Sequence, residues 1–409
     1  MWFLTDRVIS QGGGLLFMAC LARAVPTMEA AYFIAAFAFA SLFQPLFANA
    51  CQPLAIQLWH REGVPGFCAI WFLMVTVAVV FIGAMILWQV AAGHPVAAAL
   101  LLHALLAPLS LASAPLIAED RWRTALGVLI PVTLLGVAAR IAALLIFDDL
   151  LLAALCFSIE PLCGGVLLSL RAGLLRGLRP ARLRSELLRD AVPLMLAMVA
   201  STLFWRAPVL AGALFLSADT LLPLAFAMQI LTGLMLVPNA LCQSLIGPIS
   251  TGGDARREAL QAGGATAVVA SISAVIACLV AAQPVLSLVY GPAAAGGGVI
   301  LSWLSPVIGL ATIWRLTELT AGLDGHRRDL LITRLTASAC QAAICALLFF
   351  WPSAIMIAAM SPLSLVFAAV FAPMLLPSLR PALAEMAAGI RTMITFSGLR
   401  ATGAIFLRG

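Results

Sequence analysis

Long apolar stretches follow one another along nearly the whole chain, separated by short segments rich in Arg, Asp, Gly or Pro. Each stretch holds about 20 residues or more, the length that an α-helix needs to cross ~30 Å of hydrocarbon. None shows the polar–apolar alternation of barrel strands. The pattern predicts an all-α polytopic membrane protein with about twelve transmembrane helices, numbered here as spans 1 to 12, over residues 4–25, 28–58, 67–92, 96–118, 124–147, 150–170, 191–215, 220–247, 264–290, 298–321, 330–351 and 353–376.

Composition excludes several classes of protein. Hydrophobic residues make up 63% of the 409 residues and charged residues 10%, whereas soluble domains are roughly half apolar and a quarter charged. All 23 basic residues are Arg, so a phosphate-binding Gly-Lys-Ser/Thr loop and a lysine Schiff base are both excluded. The nine Cys and four His show no metal-site spacing. We therefore predict no cofactor and no metal site. The very short outward loops described next favour a protein that is not an enzyme.

Arginine is distributed unevenly between the loops. Most Arg residues lie in loops that follow even-numbered spans and in the C-terminal tail, while the loops after odd-numbered spans hold almost none. Because arginine-rich loops stay in the cytoplasm, the pattern predicts an N-in/C-in topology with very short outward loops.

The longest and most basic connection, 171–190, separates six spans from six. We therefore predict an N-terminal lobe (1–170), a basic cytoplasmic linker (171–190), a C-terminal lobe (191–376) and an amphipathic cytoplasmic tail (377–409). Span 2 contains Asn-Ala-Cys-Gln from Asn49, and span 8 contains Asn-Ala-Leu-Cys-Gln from Asn239. This similarity at equivalent places suggests a parallel repeat, as in many secondary transporters.

Five charged residues are candidates for bilayer depth, where each charge costs roughly 2.5–3.5 kcal/mol on insertion scales. They are Arg140, Glu160, Arg206, Arg315 and Glu318. Arg315 and Glu318 lie three residues apart, so we expect them to pair on one helix face. Structural ion pairs are one explanation of these charges. The excess of positive charge favours the other, a cavity that receives an anion.

Polar side chains form stripes on several spans. If span 8 is one helix of ~100° per residue, four of its polar residues fall within an arc of about 80°: Gln229, Thr232, Asn239 and Gln243. Span 2 carries Asn49 and Gln52. Such stripes predict a water-filled path between the two halves, with hydrogen bonding between packed helices as the alternative.

Short motifs resemble a known family. An early Arg7 precedes Leu21-Ala22-Arg23 and the turn Glu29-Ala30-Ala31-Tyr32, and Asp190-Ala191-Val192-Pro193-Leu194 restarts the second half towards Arg206. In these features the chain resembles the polysaccharide-biosynthesis (Wzx-type) flippases of the MOP exporter superfamily. It departs from them at Ala31, where the family usually has Gly, and at Arg206-Ala207-Pro208, which lacks the usual acidic residue.

The resemblance implies two six-helix lobes around a cationic cavity, alternating access, and a bacterial inner-membrane location. The implied substrate is a polyprenyl diphosphate-linked oligosaccharide bound by a monomer, with glycan polymerase or ligase machinery nearby and no nucleic acid. Arg7, Arg23 and Arg206 would attract the diphosphate. The headgroup would bind to Asn49, Gln52, Gln229, Asn239 and Gln243. Four further residues are weaker candidates, either lining the cavity or locking the lobes together: Arg140, Glu160, Arg315 and Glu318.

Three other functions remain open at this point. A MATE-like small-solute or drug antiporter is expected to carry unpaired carboxylates at mid-depth, where this chain has only Glu160. A membrane-embedded glycan polymerase or ligase is expected to have a sizeable outward loop. A scaffold for a glycan assembly complex would leave the buried arginines without an obvious purpose.

Overall fold

The computed structural model describes residues 2–47, 50–174, 185–348 and 350–394. These residues are helical almost throughout, with no strand among them, so the predicted all-α fold is confirmed. Within this part of the chain, eleven helical segments are long and apolar enough to cross a membrane. Predicted span 1 corresponds to a shorter apolar stretch, Val8–Ala24.

The chain divides into two compact units, Met1–Arg206 and Ala207–Gly409. The first unit contains α1 (Trp2–Ala24), α2 (Thr27–Ala40), α3 (Gln44–Phe47), α4 (Gln52–Glu62), α5 (Val64–Ala91), α6 (Pro95–Leu106), a 3-10 helix (Ala107–Ala112), α7 (Ser113–Ala118), α8 (Trp122–Leu145), α9 (Leu150–Cys156), α10 (Ile159–Arg171) and most of α11 (Ser185–Phe215). Helix α11 begins within the predicted linker and crosses the boundary between the units.

The second unit continues with nine further α-helices and the short segments between them. They are α12 (Ala218–Leu234), α13 (Leu236–Thr251), α14 (Gly253–Tyr290), a 3-10 helix (Gly291–Ala294), α15 (Gly297–Leu304), α16 (Val307–Leu323), α17 (Arg327–Leu347), α18 (Ala354–Val366), a π-helical segment (Phe367–Phe371), α19 (Ala372–Leu375) and α20 (Arg380–Ile394).

Even-numbered spans are broken, whereas odd-numbered spans are single helices. Span 2 comprises α2, α3 and α4, span 4 comprises α6 to α7, and span 6 comprises α9 and α10. The second unit repeats this alternation in α12–α13, α15–α16 and α18–α19, between the unbroken α11, α14 and α17. The same alternation in both units is what an internal parallel repeat would produce.

Proline alone does not cause these breaks, because Pro131 and Pro284 lie inside the unbroken α8 and α14. At three breaks a serine hydroxyl also donates to the carbonyl three residues earlier. Ser41 donates to Ala38 at 2.8 Å, Ser110 to Ala107 at 2.7 Å and Ser305 to Ser302 at 2.7 Å. A hydroxyl that satisfies a freed carbonyl makes a helix break tolerable in a membrane.

The interpretation of span 8 as one continuous helix of ~100° per residue is wrong. Helix α12 ends at Leu234 and α13 starts at Leu236, with Met235 in a turn. Gln229 therefore lies on a different helix from Asn239 and Gln243. Helix α12 packs on α15, while α13 packs on α14 and α16. The arc of about 80° was calculated with ~100° per residue along one continuous helix. Because the helix is interrupted, these polar residues do not form a single stripe.

Helix α20, within the predicted amphipathic tail, packs closely on α14. Gly389 and Gly264 permit the contact: a Cβ at Gly389 would lie 2.0 Å from the Gln261 carbonyl oxygen, and one at Gly264 would lie 2.4 Å from the Met386 carbonyl oxygen. Glu385 of α20 pairs with Arg257 at 3.2 Å. Close packing of the two backbones and an ion pair thus both connect α20 to α14.

Candidate functional site

Arg140 and Glu160 form a largely buried ion pair between α8 and α10. Arg140 Nε also donates to the Gly136 carbonyl at 2.9 Å, and its guanidinium carbon lies 4.3 Å from the centre of the Phe157 ring. Gly136 leaves room for the carboxylate, because a Cβ there would lie 2.8 Å from Glu160 Cγ. The two charges compensate each other within the first unit.

Phe157, at the break between α9 and α10, connects this ion pair to its surroundings. Its carbonyl accepts a hydrogen bond of 2.9 Å from Nδ1 of buried His103. Its ring centre lies 5.3 Å from that of Phe17 and 5.0 Å from that of Phe37. Sequence reasoning missed both Phe157 and His103, because an isolated aromatic or histidine in an apolar helix gives no signal of its partners.

Arg206 of α11 lies at the other side of the same aromatic cluster. Its guanidinium carbon is 5.7 Å from the centre of the Phe37 ring, a cation–π contact worth ~0.5–2 kcal/mol. Among the described residues, no carboxylate forms an ion pair with Arg206. An aromatic ring orients this guanidinium but does not neutralise its charge, which distinguishes Arg206 from Arg140.

The predicted pairing of Arg315 with Glu318 is wrong. Glu318 instead accepts a hydrogen bond of 2.6 Å from Nε of Arg334 on α17, and both side chains of this pair are largely buried. Nε of Arg315 is buried and has no hydrogen-bond partner within the described structure. Arg334 lies inside α17, and the sequence gives no sign of its pairing with Glu318 on another helix.

The other predicted site residues are spread over several helices. Arg23 is exposed in the last turn of α1, and Gln52 in the first turn of α4 donates to Ser113 Oγ at 3.4 Å. Gln229 and Asn239 are half-buried, whereas Gln243 is exposed. Two predicted positions fall outside what the structure describes: Asn49 and the side chain of Arg7.

No set of three or more His, Cys, Asp or Glu side chains that would suit a metal ion occurs in the described ranges. The predicted site residues at membrane depth carry mainly guanidinium groups and amides. Such groups donate hydrogen bonds and attract negative charge.

Comparison with known proteins finds no matching family model and no matching curated sequence. Solved structures do match. A structure titled "Lipid II flippase MurJ, inward closed conformation" aligns with a TM-score of 0.73 at 10% identity, covering 99% of this chain and 92% of that one. The chain has the MurJ and MATE fold.

Two MATE transporters illustrate the other side of this likeness. An inward-facing multidrug resistance MATE family transporter of the MOP superfamily aligns with a TM-score of 0.57 at 12% identity, covering 95% of this chain and 96% of that one. The bent form of the Vibrio cholerae MATE transporter VcmN gives a TM-score of 0.51 at 12% identity, covering 95% of this chain and 99% of that one. Identities this low show the fold alone.

Proposed function

We propose that the protein flips a polyprenyl diphosphate-linked oligosaccharide from the cytoplasmic to the outer leaflet by alternating access, for cell-surface polysaccharide synthesis. The fold supports membrane transport in general, since one structural neighbour is titled a lipid II flippase and others multidrug transporters. The choice between a lipid-linked anion and a small solute rests on the charges inside the spans.

The proposal depends mainly on which of the charged residues inside the spans are paired. Glu160 is compensated by Arg140, and Glu318 by Arg334. Arg206 lies beside the Phe37 ring and forms no ion pair with any described carboxylate. An uncompensated guanidinium at membrane depth is costly, and a bound diphosphate supplies the charge that would offset it. Guanidinium groups also match phosphate oxygens with two parallel hydrogen bonds.

The proposed roles follow from these chemistries. Arg206 attracts the diphosphate, assisted by Arg23 and Arg7 on α1. Amide side chains offer hydrogen bonds to the headgroup. They belong to Asn49, Gln52, Gln229, Asn239 and Gln243. The lipid tail stays in the bilayer, so no apolar tunnel through the protein is required.

A MATE-like exporter of cations is less well supported. Such a transporter needs a carboxylate at membrane depth that is free to hold a cation or proton. In the part of the chain that the structure describes, Glu160 and Glu318 are both engaged by arginines.

A membrane-embedded polymerase or ligase is also less well supported, because the connections after odd-numbered spans are short. Only a few residues separate α5 from α6, α8 from α9, and α11 from α12. With the predicted topology these are the outward loops. They offer no platform for catalytic or sugar-binding groups.

The test is to extract lipids from cells with and without the gene and to search them by mass spectrometry for a polyprenyl diphosphate-oligosaccharide. Lectin or protease access then reports its leaflet. We expect accumulation on the inner leaflet when the gene is absent, reversed by the wild-type chain and by an Arg121→Gln control at an exposed ion pair, but not by Arg206→Gln. Accumulation on the outer leaflet would support the polymerase or ligase instead. No accumulation would support the small-solute exporter.

A further inference from the structure

Arg315 in α16 has an unexplained buried donor. Its Nε makes no hydrogen bond within the described residues, although buried polar groups are satisfied in the great majority of cases. The nearest acidic residue along its helix, Glu318, is engaged by Arg334 at 2.6 Å. Among the described residues, Arg315 thus forms no ion pair and keeps a spare donor at Nε.

The helix facing Arg315 supplies further donors. Helix α13 packs on α16, and Cys242 of α13 packs against the hydrophobic cluster that contains Leu316, the residue after Arg315. Its thiol is also within electrostatic range of Arg315 and Glu318. Asn239 lies three residues before Cys242, so both share one face of α13. The Asn239 side chain is half-buried and makes no hydrogen bond to any described residue.

From this juxtaposition we infer that Arg315 and Asn239 form a diphosphate-binding subsite inside the second unit. The inference rests on the proposed function and adds to it a contact separate from Arg206. The guanidinium fork binds one phosphate through parallel hydrogen bonds, and the Asn239 amide donates to the same group. Polyprenyl diphosphate and inorganic diphosphate share this chemistry, and the proposal commits to the lipid-linked form.

Arg334 is a positioning residue in this arrangement. By holding Glu318 it prevents that carboxylate from turning to Arg315, three residues earlier on the same helix. Removing Arg334 alone frees Glu318 to occupy the Arg315 guanidinium and compete with the ligand. Removing Arg334 and Glu318 together leaves Arg315 charged and available again.

Cys242 provides a local probe of occupancy. The purified full chain in nanodiscs is treated with a water-soluble maleimide, with and without undecaprenyl diphosphate, and alkylation is quantified residue by residue by mass spectrometry. Undecaprenol and inorganic pyrophosphate serve as the comparison ligands. Cys20, on α1 in the other unit, is the internal control. The readout is the ratio of the alkylation rates measured with and without ligand. A substitution that changes the intrinsic reactivity of the Cys242 thiol alters both rates equally, so it does not change this ratio.

We expect undecaprenyl diphosphate to slow the alkylation of Cys242 but not of Cys20, and to do so more effectively than either comparison ligand. Arg315→Gln weakens the apparent affinity by roughly tenfold to a hundredfold, the usual effect of losing hydrogen bonds to a charged group. Asn239→Ala weakens it less. Arg334→Gln weakens it, and Arg334→Gln with Glu318→Gln restores it towards wild type, a recovery that a purely structural role of Arg334 would not produce.

Equal protection of Cys242 in wild type and in a folded Arg315→Gln variant would overturn the inference. If inorganic pyrophosphate protects Cys242 from alkylation and undecaprenyl diphosphate does not, the subsite does not bind the lipid-linked form and the inference fails. If Arg206→Gln abolishes translocation while Arg315→Gln leaves protection unchanged, the subsite fails and the proposed function stands. If wild type neither binds nor moves the lipid, the proposed function itself fails.

Discussion

The Arg140 guanidinium pairs with the Glu160 carboxylate across α8 and α10, and Gly136 provides the space in which they meet. The pair joins an unbroken helix to the broken span 6. Because Arg140 also stacks on Phe157 at the break itself, the ion pair fixes the geometry of that break. The ion pair therefore positions α10 relative to α8 and also contributes to the stability of the fold.

Removing one partner of this pair should cost more than removing both. Glu160→Leu leaves a buried, uncompensated guanidinium and is expected to lower the free energy of unfolding by about 3 kcal/mol or more. Arg140→Met combined with Glu160→Leu removes both charges and is expected to recover most of that loss. Thermal unfolding in detergent measures the difference. A double variant no more stable than the single one would contradict the role of the charge.

Close packing of α20 on α14 depends on a glycine. In Gly389→Ala the new Cβ would meet the backbone of Gln261, so α20 must move away from α14. We expect amide hydrogen exchange in α20 to accelerate by about tenfold or more, as for a locally loosened element. Gly83→Ala is the matched control, because a Cβ at Gly83 meets nothing within 4 Å. Unchanged exchange in Gly389→Ala would show that the contact is dispensable.

Asp324 gives a pH dependence outside the membrane-spanning segments. Hydrogen bonds of 2.7 and 2.6 Å from Arg256 hold the pKa of this carboxyl below its usual value. A lowered folded-state pKa contributes stability that is present above the unfolded-state pKa and is lost as the pH falls through the folded-state pKa. The melting-temperature advantage of wild type over Asp324→Asn should therefore be constant from about pH 5 upward and shrink below about pH 4. An advantage that grows on acidification would contradict the ion pair.

Sequence patterns predicted the spans but not their interruptions or their long-range pairs. Apolar length reveals a helix that crosses a bilayer, which is why the all-α fold was confirmed. The break at Met235 lacks a sequence signal, since prolines also occur in the unbroken α8 and α14. The partner of Glu318 was assigned from the local three-residue spacing, whereas the true partner, Arg334, lies on the next helix. Such pairs depend on tertiary packing, which one sequence does not display.

Phe37 is expected to orient Arg206. Phe37→Leu removes the ring beneath the guanidinium and with it a contact worth ~0.5–2 kcal/mol, so translocation should fall by about twofold to thirtyfold. Phe37→Tyr keeps the ring face and should retain most of the activity. Rates from reconstituted vesicles test this. Equal losses in both variants would point to packing of the aromatic cluster instead of the cation–π contact.

Transport of a lipid-linked diphosphate is expected to depend on the positive charge of Arg206, which has no ion-pair partner among the described residues. The most direct test of this dependence uses the purified chain in liposomes and follows, by lectin quenching, the leaflet of a fluorescent polyprenyl diphosphate-oligosaccharide. We predict that wild type and Arg121→Gln equilibrate the probe between leaflets, whereas a folded Arg206→Gln variant slows this by at least tenfold. Translocation undiminished in Arg206→Gln, or absent in folded wild type for every lipid-linked diphosphate tested, would contradict the account.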